Sequence, residues 1–247
     1  MDHRKHFYER YTQAQSRFTS EAQIQDRLHA EQRILGPLLH QYLPSSHAAR
    51  ILDLGCGYGA NLLSLKDKGY SNLRGVDISP EQVALAHTLG ADMVELGSIE
   101  AALSEERNVQ LVTMLDVFEH LTRSEALSVL QRIYDCLAPD GLLVMRTPNV
   151  DAPLGSVLSF GDLTHEMHLN KYAVLEMFGS LMYTHVEVLP VNPLGGSPAV
   201  QLARIITKPF MWLHNTLSHI DQGISRSATI NTPNMLIVAR KSGGKTS

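Results

Sequence analysis

The stretch ILDLGCGYGANLLSL, residues 51–65, runs from an apolar strand into a helix through Gly55, Gly57 and Gly59. Glycines at such a junction let a ligand approach the backbone where side chains would block it. A dinucleotide fingerprint prefers Gly-x-Gly-x-x-Gly, whereas here Ala60 follows the third glycine and an acid, Asp53, lies within the strand. A pyrophosphate seeks amides, but a cofactor with an ammonium group favours a nearby carboxylate. The other reading of Asp53 is a hydrogen bond to its own turn. Asp77 ends the next apolar run, GVDIS, where a carboxylate can accept both hydroxyls of a ribose. Together the two acids suggest a nucleoside cofactor with a charged amino-acid end.

The same alternation continues outward. ARILDLG (49–55), LRGVD (73–77), ADMVEL (91–96), VQLVTMLDV (109–117) and GLLVMRTP (141–148) read as strands. Helices are expected between them near 59–68, 80–89, 99–107 and 123–137. Near-continuous apolar strands separated by helices imply an α/β fold with a parallel sheet covered on both faces. Ser79, Pro80 and Gln82 sign one helix start, and Thr122 with Glu125 another. In the latter helix Leu127, Leu130, Ile133, Tyr134 and Leu137 share one face, expected against the sheet.

Bulk properties set the context. A chain of 247 residues is long enough for one decorated domain. Its formal charge of -4, with both signs mixed along the chain, gives no electrostatic reason to expect a nucleic-acid partner. Two cysteines, Cys56 and Cys136, do not make a disulfide framework. The start, MDHRKHFYERY, lacks a signal-peptide core and no run is long enough to span a bilayer, so a cytoplasmic protein without an integral membrane segment is expected.

Taken in order, these motifs resemble those of class I S-adenosylmethionine-dependent methyltransferases, in the style of the quinone and sugar enzymes. The resemblance covers about residues 45–150. It implies a Rossmann-like seven-stranded sheet, mostly parallel with an antiparallel final strand, plus N-terminal helices and an insertion before that strand. THVEVLP and PNMLIVARK are the candidates for the last two strands. The glycine-rich motif matches Asp53, Gly55, Cys56, Gly57 and Gly59; the ribose acid matches Asp77, followed by Ile78. LGSIEAAL occupies the adenine-binding stretch, with Ser98 where many relatives have Asp and Ile99 as a packing neighbour. Asp116 and Val117, in LVTMLDVFEHL, fall on the methionine side of the cofactor, although Asp116 equally suits a turn cap.

Methyl transfer from a sulfonium needs alignment and, for a hydroxyl acceptor, removal of a proton. FGDLTHEMHLN, residues 160–170, follows the fifth strand and gathers Asp162, His165, Glu166 and His168. His165 is the preferred proton acceptor, with Glu166 or Asp162 orienting its ring, and the competing reading is a Thr164-capped turn. His120 either approaches the reacting methyl group or holds its loop together with Glu119. The spacing is not His-Glu-x-x-His, so a metal is possible but not favoured and no metal ligand is assigned.

The expected organisation is an N-terminal helical cap over 1–44, a core over 45–189, a helical insertion or lid over 190–232, and a final strand and tail over 233–247. Tyr8 or Tyr11 would close over the cofactor or stitch the cap to the core. Leu202, Ile206, Phe210, Leu213 and Leu217 form an apolar stripe that suggests a lid or a homodimer surface, with Pro209 kinking or dividing the helix. The leading expectation is methylation of a hydroxyl on a small sugar, glycan intermediate or related metabolite. The alternatives are an N- or C-methyltransferase for a quinone, lipid-like or secondary metabolite, and a non-catalytic cofactor-binding regulatory or assembly protein.

Overall fold

The structure, a computed structural model, describes residues 21–192, 197–223, 225 and 229–243. Tyr8 and Tyr11 lie outside these residues. Seven strands form one sheet in the order β3-β2-β1-β4-β5-β7-β6: β1 (Ile51–Leu54), β2 (Leu73–Asp77), β3 (Val94–Leu96), β4 (Val109–Leu115), β5 (Leu137–Pro148), β6 (Thr184–Val191) and β7 (Asn234–Arg240). The first five are parallel, and β7 runs antiparallel between β5 and β6.

Helices α1 (Glu21–Leu39), α2 (Ala60–Asp67), α3 (Pro80–Thr88), α4 (Ile99–Glu105), α5 (Arg123–Cys136), α6 (Gly155–Gly161), α7 (Lys171–Gly179) and α8 (Pro198–Gln222) flank it. All four residues of β1 are buried, with Leu52 and Leu54 in one apolar cluster and Ile51 in another. That is the alternation of a strand packed on both faces. Strand order reverses where β1 lies between β2 and β4, so the crevice for a ligand opens at the carboxyl ends of these strands.

The helix starts follow their local chemistry. Thr122 and Glu125 form the reciprocal capping box of α5, and the Ser79 hydroxyl accepts from Gln82 N at α3. Two expectations shift. The buried stripe of α5 is Ala126, Val129, Leu130, Ile133 and Cys136, while Leu127 is 40% exposed, so the helix is rotated from the face expected. β5 starts at Leu137, not 141, because Leu137 already pairs with Val109 before a register shift accommodates the Pro139-Asp140-Gly141 turn. Gly141 is required there, since a Cβ would stand 2.8 Å from Ala138 O.

α8 runs through Pro209 as one helix and is not divided. Its expected stripe, Leu202, Ile206, Phe210, Leu213 and Leu217, is 50–70% exposed. Among the described residues no helix is long and apolar enough to cross a membrane.

Candidate active site

The glycine turn is built by close approach. Gly55 has φ +68, and a Cβ on it would overlap Val117 Cγ2 and lie 3.0 Å from Cγ1. Gly55 N and Cys56 N both donate to Val76 O, at 2.8 and 3.1 Å, binding the turn to β2. Gly57, at φ +54, has room above it, the nearest atom to a Cβ being Gln82 Oε1 at 3.6 Å. Gly59 caps α2 at φ +80. The first amides of α2 lack intrahelical acceptors, as at any helix start.

Asp77 closes the turn. Its Oδ2 accepts from Gly57 N and its Oδ1 from Ser79 N, both at 2.8 Å. Burial raises its carboxyl above the usual range, and the two backbone donors oppose that shift. Each carboxylate oxygen carries two lone pairs, so both keep capacity for a ribose hydroxyl. A partly buried acid beside an open glycine backbone fits the nucleoside and amino-acid ends of S-adenosylmethionine.

Other expected cofactor residues take different positions. Asp53 is 2% exposed, and its carboxylate accepts from the Thr113 hydroxyl at 2.6 Å and the Asn61 amide at 3.1 Å. These bonds tie β1 to β4 and α2, and burial lifts the carboxyl to about 6. The Cys56 thiol packs beneath the turn, where a Cβ on Gly75 would be 2.7 Å away, and burial pushes its pKa well up. Ile78 is 61% exposed beside Asp77. The Ser98 hydroxyl caps α4 by accepting from Ala101 N, and Ile99 packs against the main core. Asp116 sits at φ +57 and pairs through both oxygens with Arg146 of β5.

A second cluster lies at the carboxyl ends of β4 and β5. The 3-10 turn Phe118–His120 presents Glu119 and His120, both buried. Glu119 O accepts from Glu166 N at 2.9 Å and Met167 N at 3.0 Å, so the 160–170 segment is fastened to this turn by its backbone. The Thr164 hydroxyl donates to Asp162 Oδ1 at 2.6 Å and accepts from His120 Nδ1 at 2.9 Å. His165 Nδ1 donates to Ser159 O at 2.9 Å. A carbonyl only accepts, so Nδ1 carries a proton, and in the neutral ring the lone pair is on Nε2. That Nε2 lies 4.0 Å from Glu119 Oε1 and 3.9 Å from Asp162 Oδ2. The two imidazoles meet edge to face at 4.8 Å.

Burial, reinforced by Asp116, pushes the Glu119 carboxyl well above the carboxylate range, and Thr147 donates to its Oε2 at 3.0 Å. Burial, then the neighbouring His165, lowers His120. Of the expected catalytic residues, Asp162, His165 and His120 therefore come together. Glu166 contributes its backbone amide to the fastening, and His168 turns to the surface and stacks on Phe160 at 3.8 Å. Glu119, Thr147 and Arg146 complete the cluster without having been singled out as site residues. The signal for Glu119 was its place in DVFEH next to His120.

A mostly parallel seven-stranded sheet with this glycine turn at its switch point is the class I methyltransferase fold. Solved structures share it. A S-adenosylmethionine-dependent methyltransferase from Archaeoglobus fulgidus is 18% identical over 85% of this chain and 94% of its own, with a TM-score of 0.62. One from Thermotoga maritima is 15% identical over 96% and 99%, with a TM-score of 0.61. Phosphoethanolamine N-methyltransferase 2 of Haemonchus contortus, solved with S-adenosylmethionine, is 17% identical over 85% and 52%, with a TM-score of 0.56. No curated protein sequence matches the chain. Residues 27–189 match the family described as Methyltransferase domain, so the chain belongs to that family and is a S-adenosylmethionine-dependent methyltransferase.

Proposed function

We propose that the chain methylates a hydroxyl of a small-molecule acceptor, a sugar, glycan intermediate or related metabolite, at the carboxyl ends of β4 and β5. The observation that carries this reading is His165, whose Nδ1 is held by Ser159 O while Nε2 faces Glu119 and Asp162. When bound in the crevice beside Asp77, S-adenosylmethionine supplies a methyl group on a sulfonium, whose thioether product leaves without needing a proton. The chain's own task is then to place the acceptor and take its proton.

His165 Nε2 accepts that proton, and the Asp162 carboxylate, 3.9 Å away, faces the imidazolium so formed, with the Glu119 carboxyl on its other side. The Ser159 carbonyl keeps the ring in the tautomer that can do this. Asp77 would hold the ribose end, and Gly57 leaves the approach open.

The test is a single-turnover assay with methyl-labelled S-adenosylmethionine against a panel of hydroxyl acceptors. His165→Ala should bind cofactor as the wild type does and lose roughly 10²–10⁴-fold in the transfer step. Transfer at the wild-type rate in that variant rejects His165 as the base. Transfer only to amine or carbon acceptors rejects the hydroxyl reading.

A further inference from the structure

One ligand atom from each of Glu119, His120 and His165 lies within 4.8 Å of the others. From these three residues we infer a binding site for a first-row divalent transition-metal ion. The inference rests on reading the same cleft as the acceptor site, and it names a second occupant for it.

The chemistry of the donors supports it. Both rings have their Nδ1 protons held, His165 by Ser159 O at 2.9 Å and His120 by the Thr164 hydroxyl at 2.9 Å. His165 thereby turns Nε2 toward Glu119, and a hydrogen bond on Nδ1 fixes each ring in the way that orients metal-binding histidines in proteins. Glu119 supplies the carboxylate. Its Oε2 is engaged by Thr147, while Oε1 is the atom turned to His165 Nε2 at 4.0 Å. Thr164 in turn is anchored by Asp162 Oδ1 at 2.6 Å, so the outer groups also lock each other.

Two imidazoles and one carboxylate make a mixed nitrogen and oxygen set. It suits Mn2+, Fe2+, Co2+ or Zn2+ better than Mg2+ or Ca2+, which favour oxygen alone. Bonds of about 2.0–2.2 Å would draw the three atoms closer than they now stand. Three protein ligands leave coordination positions open, and the open side would take an acceptor with one or two hydroxyl oxygens. The site draws on two chain segments, with the 160–170 loop fastened onto the 3-10 turn by Glu119 O. Ser159 Oγ, in the residue whose carbonyl holds His165, is buried without a hydrogen-bond partner, a further polar group available to this region.

Cation and transferred proton use the same lone pair of His165, so they exclude each other. In the loaded protein the acceptor hydroxyl binds the cation and its proton passes to Asp162 Oδ2. The oxygen then forms its bond to the methyl carbon as the carbon–sulfur bond breaks with its electron pair left on sulfur. The cation would make the bound hydroxyl more acidic, and Asp162 would replace His165 as the group that takes the proton.

The experiment is titration of the chelator-treated full chain with CoCl2, followed by visible absorption. Wild type should bind one Co2+ with the d–d bands of nitrogen ligation. Glu119→Gln should weaken that binding by about tenfold or more and His165→Ala should abolish the bands. Both variants should still bind S-adenosylhomocysteine, which shows that they are folded. If buried Glu119→Gln does not fold, His165→Ala, at the edge of the cluster, carries the test alone. No d–d bands in the wild type, or bands of equal strength in His165→Ala, overturns the site. Methyl transfer to a hydroxyl that persists in chelator while Co2+ fails to bind overturns the cation and leaves the proposed function standing. Co2+ binding as described, with no hydroxyl acceptor methylated, supports the site and removes the proposed acceptor class.

Discussion

Gly55→Ala probes the turn on which the cofactor crevice depends. Two separable costs apply. An alanine at φ +68 pays the left-handed penalty of roughly 1–2 kcal/mol. Its Cβ also overlaps Val117 Cγ2, and forcing a methyl into such a packed contact costs about 1–3 kcal/mol. The single variant should therefore lose about 2–5 kcal/mol in urea unfolding. Val117→Ala removes the obstructing methyls but not the backbone strain. In the double variant the steric part should vanish, leaving a coupling of about 1–3 kcal/mol. Titration with S-adenosylhomocysteine should follow the same order, since displacing Gly55 moves the neighbouring Gly57 that bonds to Asp77. Additivity of the two substitutions within about 0.5 kcal/mol would refute the argument that Val117 sets the approach.

Two further predictions concern buried charge. Folding raises Asp53 from 3.8 to about 6, so its contribution to stability is present below pH ~4 and is lost as the pH rises through about 6. The rise is worth about 3 kcal/mol, and Asp53→Asn, having no charge to desolvate, should gain about that much on wild type between pH 4 and pH 8. Unfolding at the two pH values measures it, and a pH-independent difference contradicts the assignment. Asp116→Ala should destabilise by about 1–2 kcal/mol, less in high salt, because it strips the partner from Arg146, whose side chain is only 17% exposed. An unchanged melting temperature would show that solvent replaces the pair.

What the sequence discloses is what local chemistry controls. The glycine turn, Asp77 and the Thr122–Glu125 capping box are legible because each acts within a few residues of itself or at a strand end. The face of α5 is less so: Leu127 and Ala126 both fit an apolar stripe, and only packing chooses Ala126. β5 begins early because a turn of the Pro139-Asp140-Gly141 kind also fits a bulge in a continuing strand. The cluster around His165 is the hardest case. His120 and Thr164 bond across 44 positions, and Glu119 O fixes the distant loop by backbone bonds that leave no compositional trace. Side chains adjacent in FGDLTHEMHLN meanwhile diverge, His165 inward and His168 out onto Phe160.

The most direct test of the central claim is calorimetric titration of S-adenosylhomocysteine into wild type, Asp77→Asn and Asp77→Ala. Asp77→Asn keeps one oxygen acceptor, so it loses the charge toward the ribose and one of the two backbone bonds, whereas Asp77→Ala releases both Gly57 N and Ser79 N. Wild type should bind one equivalent. Asp77→Asn should weaken binding by about 1–3 kcal/mol, and Asp77→Ala should weaken it at least as much. Equal affinity in all three proteins would contradict a cofactor held between the glycine turn and Asp77.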